Sequence, residues 1–596
     1  VKIGEHKEAL QRRVRVLARI AEIALVALAG AFFFVQVVQG SRYRELAENN
    51  RLRRLSVEAP RGSIVDVHGR VLVENLPSFN LLLDRSRARD VAASVGFAAG
   101  VLERPRAELD SVLARYQSVP AFQPVLLAES LSFPEVARFR AVEMEHPEFD
   151  VEVTHRRVYR LGSQAAHVLG YLGEARPEEL ARPDAGLVAG DWVGRRGLER
   201  AYDDQLRGHD GERIVVVDSR GQPVEDYGRE MGRSGHELRL TLDADLQQEA
   251  ERLMEGKVGA VVALDPRDGA VRALVSSPAY DPNVFARRLG VEEWRKIADD
   301  PLHPLQNRAL QSAFSPGSVF KMIVAIAGLA EGVVTPDDSV FCNGSAEFYG
   351  RRFHCWRRGG HGRVAMEQAL QVSCDVYFYT LGEKLGIDRI ASWARRFGLG
   401  SPTGIDLEGE RTGLVPDDAW SRAVRRHPWY PGETISVAIG QGALLATPLQ
   451  VAVFVAAVAN GGRLVTPHVV ADADVPPPRP IGVPPSALAV VQRGLWRVVN
   501  ADGGTGAAAR VPGLDVAGKT GTVQVVSHDA WQDTSAEPWE RRNHAWFASY
   551  APADHPELVV VVFIEHGGQG SRAAAPLARA LHAFYFRTDL GTPAAS

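Results

Sequence analysis

An almost unbroken apolar run from Ile20 to Val38 constrains what the rest of this chain can become. Only Glu22 and Gln36 interrupt its nineteen residues. In a bilayer a helix satisfies its backbone groups internally, and about twenty such residues cross the hydrocarbon core. Lys2, Lys7, Arg12, Arg13, Arg15 and Arg19 precede the run, and Arg42, Arg44, Arg51, Arg53 and Arg54 follow it. A buried core helix would not carry basic flanks at a terminus. A cleaved signal would be shorter, with a small-residue cleavage site behind it. The expectation is one membrane-spanning helix at 20–38 behind a short tail at 1–19. Charge is nearly balanced across the run, so the positive-inside rule barely decides its orientation. The tail is placed in the cytoplasm because the long remainder translocates regardless of charge.

A chain of 596 residues is too long for one core, so two to four domains are expected. The 45% hydrophobic and 24% charged content is that of a folded protein. A net charge of −4 argues against a nucleic-acid partner. From 39 to 240, short β-like runs alternate with turns and helical patches. Arg61-Gly62-Ser63-Ile64-Val65-Asp66, turning at Gly69 into Val71-Leu72-Val73, reads as a hairpin, and residues 85 to 150 read as helical and irregular. Near 241 the character changes. Thr241-Leu242-Asp243 caps a helix, Gly259–Leu264 and Ala270–Ser276 are strands, and 543–551 with 557–565 form another hairpin before a helix at 574–586. The fold class is α+β: an antiparallel sheet flanked by helices in 241–590, with a helical subdomain inserted between its β pieces. A short tail, 591–596, closes the chain.

That insert carries Ser315-Pro316-Gly317-Ser318-Val319-Phe320-Lys321. Pro316 and Gly317 mark a turn, and Val319 to Glu331 read as an apolar helix. Residues i and i+3 share a helix face, so Ser318 and Lys321 can meet. Serine needs a base to become a nucleophile, and a desolvated lysine can be one. A bare S-x-x-K is common; the lysine census gives it weight. Of 69 basic residues, only Lys2, Lys7, Lys257, Lys296, Lys321, Lys384 and Lys519 are lysines. Arginine serves a surface equally well but cannot be deprotonated, so a position that cycles a proton must be lysine. The same reasoning marks Lys519, in Lys519-Thr520-Gly521-Thr522.

With Ser373-Cys374-Asp375 between them, the three fragments stand in the order S-x-x-K, S-x-[ND], K-T-G, the signature of penicillin-binding proteins and class A β-lactamases. Pro428-Trp429-Tyr430-Pro431-Gly432-Glu433-Thr434, Gly440-Gln441-Gly442, Thr447-Pro448-Leu449-Gln450, Arg61-Gly62 through Gly69, Gly170-Tyr171 and the 194–211 glycines add to it. The chain resembles the class B penicillin-binding proteins over essentially its whole length, and among them the elongation-specific penicillin-binding protein 2 type. The resemblance implies a β-rich, non-catalytic pedestal of dimerisation type at 39–240. It also implies a transpeptidase domain at 241–590, outside the inner membrane, that cross-links peptidoglycan stem peptides and is acylated by β-lactams. In those roles Ser318 would be the nucleophile and Lys321 its base, while Ser373 would relay a proton. Lys519, Thr520 and Thr522 would hold the donor carboxylate, with Gly521 between them. The backbone N–H groups of Ser318 and Thr522 would form the oxyanion hole. Water in place of the acceptor amine would give a residual D,D-carboxypeptidase reaction. A SEDS-family (RodA-type) glycan polymerase and other elongation-complex proteins are the implied partners.

Asp375 departs from the usual Asn. A carboxylate only accepts hydrogen bonds, so pairing with Lys321 or Lys519 rivals a role in holding substrate. The cysteines Cys342, Cys355 and Cys374 fall in one interval with His361, a complete tetrahedral zinc set without finger spacing. A Cys342–Cys355 disulfide and buried thiols are the alternatives. The resemblance implies a structural zinc here: His361 and Cys374 match two of its ligands, and Cys342 and Cys355 stand where carboxylates are usual. His354 is the substitute should His361 point away. The chemistry itself needs no cofactor.

No Glu-x-x-Leu-Asn is present to activate a deacylating water, which argues against a β-lactamase. A β-lactam sensor would need more membrane spans or a cytoplasmic effector. A scaffold that activates the polymerase and a division-specific homologue remain as alternatives to the elongation transpeptidase. No glycosyltransferase domain is apparent before 241.

Overall fold

The computed structural model describes residues 2–42, 52–117, 119–121, 123–182, 187, 190–217, 223–525 and 537–589. Arg44, Arg51 and the tail 591–596 lie outside the described residues. The apolar run belongs to one long helix, α1 (Lys2–Phe33), which continues as a wider turn over Phe34–Val38. The stretch expected as a tail is thus helical from Lys2. Within Leu10–Val38 an 18-residue stretch reaches a mean hydropathy of 2.2 with none of it buried, and the segment is long enough to cross a membrane.

By packing, the chain forms two compact units: 1–60 with 77–155 and 208–234, and 61–76 with 156–207 and 235–596. The sequence boundary at 240 is therefore not where packing divides the molecule. Arg61–Leu76 and Arg156–Arg207 belong with the C-terminal unit.

In the first unit, Leu52–Val57, Gly211–Val217 and Pro223–Glu230 form an antiparallel sheet. The stretch 85–150, expected to be helical and irregular, has a core of its own. Val91–Leu102, capped by Asp90, packs with Phe133–Ala141 and Val125–Ala128 around Val95, Ala98, Leu127, Phe139 and Phe149.

In the second unit, Ile64–Val65 pairs with the start of Val71–Leu83 as the expected hairpin. Its leading Arg61 closes on a buried ionic cluster. Arg61 Nη2 lies 2.8 Å from both Glu199 Oε2 and Asp203 Oδ1, and Arg157 Nε lies 2.7 Å from Glu199 Oε1. Glu199 is wholly buried. Burial pushes its carboxyl up, but the Arg157 and Arg61 guanidiniums outweigh this and hold it below the usual value. Removing one partner of such a cluster strands the others without solvent. Glu199→Ala is expected to destabilise the protein by about 3–5 kcal/mol, to be measured by urea unfolding. A loss below ~1 kcal/mol would refute the assignment.

The main sheet contains β1 (Gly259–Leu264), β2 (Val271–Ser277), β3 (Ala517–Val523), β4 (His544–Ala551) and β5 (Leu558–Ile564), all antiparallel in the order β2-β1-β5-β4-β3. Both faces are covered, so β1 and β5 are apolar at every position instead of alternating. Ala260, Val262 and Leu264 join one core, with α2 (Lys321–Ala330) and the helix Pro448–Ala459. Val261 and Ala263 join the other, with Ala244–Leu253 and Ala575–Tyr585. The insert is mostly helical, with small antiparallel ladders among its described residues: Arg463–Leu464 with Arg479–Pro480, and, nearer the serine turn, Val340–Cys342 with Gly362–Val364 and Ser345–Phe348 with Arg351–His354. The last two hold the cysteine interval, where short β segments escaped sequence periodicity.

Candidate active site

Three elements converge. The first is a tight 3₁₀ turn, Gly317–Phe320, leading into α2. Ser318 sits on it, partly exposed, and Lys321 opens α2 at 0% exposure. The Gly317 N–H donates to Gly440 O at 2.9 Å, and Phe314 and Ala446 exchange backbone hydrogen bonds, so the 440–446 segment backs the turn. Gly440 has φ +76° and a Cβ there would come 2.0 Å from Gly317 O, which leaves no room for another residue.

The second element is the reversal between the helix Met366–Gln371 and α3 (Asp375–Leu385). Ser373 occupies it with φ +54°, a left-handed conformation that a serine adopts only under tertiary constraint. The third is β3, an edge strand that carries Lys519-Thr520-Gly521-Thr522. A Cβ on Gly521 would meet Pro316 O and Val319 Cγ2, both at 3.1 Å, and Trp546 Cβ at 2.9 Å. Glycine there lets the strand approach the serine turn.

Both lysines reach one hydroxyl. Lys519 Nζ donates to Ser373 Oγ at 2.8 Å and to Thr520 O at 3.1 Å. Lys321 Nζ lies 3.2 Å from Ser373 Oγ, 3.0 Å from Ser373 O and 2.6 Å from Asp375 Oδ1. Among the described residues no hydrogen bond joins Lys321 to Ser318, although the i, i+3 spacing allows them to meet. The lysine is turned toward Ser373 and Asp375 instead. Of the two partners considered for Asp375, the structure selects Lys321. Burial pushes the Asp375 carboxyl up, with Lys321 opposing it. Burial, then the neighbouring Lys321, push Lys519 well below the ordinary lysine value, with Asp375 opposing them. Two buried ammoniums around one hydroxyl favour the loss of a proton or the arrival of an anion.

Several participants carried no sequence signal. The Trp356 N–H donates to Asp375 Oδ2 at 2.9 Å, and its indole N–H donates to Val372 O at 3.0 Å. Thr520 Oγ1 and Thr505 Oγ1 are 3.0 Å apart, and the Gly570 N–H donates to Thr522 Oγ1 at 3.3 Å. Their positions follow from loop paths, which no spacing rule reports.

Beside Ser373, the ligand atoms of Cys342, Cys355, His361 and Cys374 lie within 4.8 Å of one another. None of the three cysteines is in a disulfide, so the disulfide alternative does not hold in this structure. His361 Nδ1 faces Cys355 Sγ at 3.5 Å and Cys342 Sγ at 3.8 Å, so His361, and not His354, completes the set. The His361 Nε2 atom is buried without a hydrogen-bond partner. Three soft sulfurs and an imidazole suit zinc.

Residues 259–583 match the family model "Penicillin binding protein transpeptidase domain", and residues 56–240 match "Penicillin-binding Protein dimerisation domain". Peptidoglycan D,D-transpeptidase MrdA of Haemophilus influenzae is 33% identical, covering 96% of this chain and 91% of that protein. The Escherichia coli K12 protein of the same name is 31% identical over 93% of this chain and 91% of its own. Among solved structures, penicillin-binding protein PBP2 of Helicobacter pylori, in complex with MreC, superposes with a TM-score of 0.81 at 27% identity. That match covers 90% of this chain and 99% of the other. A chain from a peptidoglycan synthase complex that coordinates polymerization and crosslinking gives a TM-score of 0.72 at 32% identity over 98% of this chain and 100% of its own.

Proposed function

The chain belongs to the penicillin-binding protein 2 family of peptidoglycan D,D-transpeptidases, and we propose that Ser318 is the residue it acylates. It is a serine-type transpeptidase that cross-links stem peptides. Lys321 takes the Ser318 proton as Oγ attacks the penultimate D-Ala carbonyl. The bond to the terminal D-Ala breaks, and Ser373, in contact with both lysines, passes a proton to the departing amine. An acceptor amine then attacks the ester and frees Ser318. Thr520, Thr522 and Lys519 hold the donor carboxylate, which supplies the anion that a charged Lys519 lacks. The Ser318 and Thr522 N–H groups stabilise the oxyanion, each worth roughly 3–4 kcal/mol of barrier. Asp375 cannot donate a hydrogen bond as a carboxylate, so its place is against Lys321. The observation that carries this reading is the meeting of Lys321 and Lys519 on the Ser373 hydroxyl beside the Ser318 turn. Labelling with a fluorescent penicillin followed by peptide mapping tests it: the adduct belongs on Ser318, and an adduct elsewhere would overturn it.

Residues 39–240 serve as the non-catalytic pedestal and 241–590 as the transpeptidase domain. The Ile20–Val38 helix anchors the chain in the inner membrane, N-terminus in the cytoplasm, with the catalytic domain outside. A membrane-embedded SEDS-family polymerase is the partner in this reading. The H. pylori neighbour's complex with MreC and the neighbour from a synthase complex support assembly with elongation proteins. A second role, in which the protein activates the polymerase independently of acylation, stands beside the first because the synthase-complex neighbour coordinates polymerization with crosslinking.

Cys342, Cys355, His361 and Cys374 hold a structural zinc. When bound, it supplies no catalytic chemistry and fixes the loop that leads from Cys355 to Trp356 and the helix that begins after Cys374. Purified protein is expected to contain one zinc per chain by elemental analysis, and a strong chelator to lower its melting temperature. Absence of zinc, with a Cys342–Cys355 disulfide by mass spectrometry, would sink this assignment.

A further inference from the structure

The ladder between Ser345–Phe348 and Arg351–His354 and the turn after it carry an unusual charge pattern. Arg351, Arg352, Arg357, Arg358 and Arg363 are all exposed, whereas the chain as a whole has a net charge of −4. The one carboxylate in this stretch, Glu347, stands across the ladder from Arg352, and no ion pair joins the two. Elsewhere in the same unit some exposed arginines are paired, Arg267 with Asp265, Arg395 with Asp417, Arg422 with Asp418 and Arg493 with Glu367, and those without an ion pair among the described residues, such as Arg411, Arg426 and Arg479, are scattered along the chain instead of clustered. Among the described residues Arg351, Arg352 and Arg357 make no ion pair. Arg351 lies over the Phe353 ring, and Arg363 donates only to Ser339 Oγ.

This surface is held rigidly against the reacting groups. Phe348 and Phe353 pack on Tyr379 of α3, with ring centroids 6.2 and 5.6 Å away, and the Tyr379 hydroxyl donates to His354 O at 3.0 Å. The residue before Arg357 is Trp356, whose N–H meets Asp375 Oδ2 at 2.9 Å, while Asp375 Oδ1 lies 2.6 Å from Lys321 Nζ. The arginine-bearing turn thus starts two hydrogen bonds from Lys321. The half-exposed Trp356 indole donates its N–H to Val372 O, next to Ser373.

We propose that this arginine surface binds the free carboxylates of the stem peptide upstream of its D-Ala-D-Ala end, and so selects acidic stems; this rests on the transpeptidase reading above. An extended peptide covers about 3.3 Å per residue, so the residues before the scissile bond run on beyond the reacting serine and can carry side-chain carboxylates to a neighbouring surface. Planar guanidiniums match carboxylates bidentately, which lysine does not. An anionic lipid surface would also attract arginines, but it offers no reason to tie them to Asp375 and Lys321.

The test uses the full-length protein in detergent with the double variant Arg352→Gln/Arg357→Gln. Two synthetic stem peptides ending in D-Ala-D-Ala serve as donors, one with free side-chain carboxylates and one with those groups amidated. The variant is expected to raise KM for the acidic peptide about five- to ten-fold. Its kcat, and the KM for the amidated peptide, should stay within about two-fold, and Arg352→Lys/Arg357→Lys should recover only part of the loss. Equal KM values for variant and parent on the acidic peptide would overturn the proposal. So would an effect seen only as weaker binding to phosphatidylglycerol vesicles. Benzylpenicillin has no stem peptide, so its acylation of the unaltered protein reports on Ser318 separately. Failure there strikes the Ser318 assignment and not the arginine surface.

Discussion

Ser318→Ala is expected to remove covalent penicillin labelling and to lower transpeptidation by about 10⁶-fold, as loss of the nucleophile does in other acyl-transfer enzymes. No neighbouring hydroxyl can replace it. Ser373 is held by both lysines, and Thr520 and Thr522 are engaged by Thr505 and Gly570. The same substitution should leave stability within about 0.5 kcal/mol of the parent, because the Ser318 hydroxyl makes no hydrogen bond among the described residues. Intact melting with abolished labelling separates loss of chemistry from loss of fold. Residual labelling above a few per cent would mean that the nucleophile is another residue. The variant also tests the second role, since polymerase activation that survives it would show that the protein scaffolds as well as catalyses.

Lys321→Arg should reduce the rate of acylation by about 10³- to 10⁴-fold, the upper part of the range for a lost general base. The guanidinium keeps a positive charge opposite Asp375 but cannot give up its proton. Lys321→Ala should be just as inactive and less stable, by about 3–5 kcal/mol, because it leaves the buried Asp375 carboxylate with only the Trp356 N–H. Benzylpenicillin acylation kinetics and urea unfolding measured on both variants decide the matter. Acylation by Lys321→Arg within ten-fold of the parent would remove Lys321 from the role of base. The contrast between the two substitutions is informative because charge and proton exchange are separated only in the arginine variant.

Much of the framework was legible in the residues. The strand at 259–264 and, within the expected 557–565, the strand Leu558–Ile564 are unbroken apolar runs, since both faces of a covered sheet exclude water. The boundaries of the two units were less legible. Arg61–Leu76 and Arg156–Arg207 are tied to each other by Arg61–Glu199–Arg157 and to the rest of the C-terminal unit by contacts such as Ala165–Glu251 and Tyr202–Asp406, which join residues far apart in the chain. No local pattern reports such pairings. The small ladders around Cys342 and Cys355 were missed for a related reason: three- and four-residue strands hold too few alternations to establish a period.

For the site, the sequence by itself determined the chemical inventory: a serine three residues from a lysine, a second conspicuous lysine, and a serine between them. It could do so because arginine fills almost every other basic position, and proton exchange is the one task arginine cannot perform. What each group touches was decided only by tertiary structure. The reversal at Ser373, in a left-handed conformation, aims one hydroxyl at two ammoniums brought in by a helix and an edge strand. Burial then makes Asp375 the partner of Lys321, because an ammonium sealed from water requires a nearby negative charge. The arginines beside Trp356 followed the same division: their number was visible in the chain, and only the fold placed them two hydrogen bonds from Lys321.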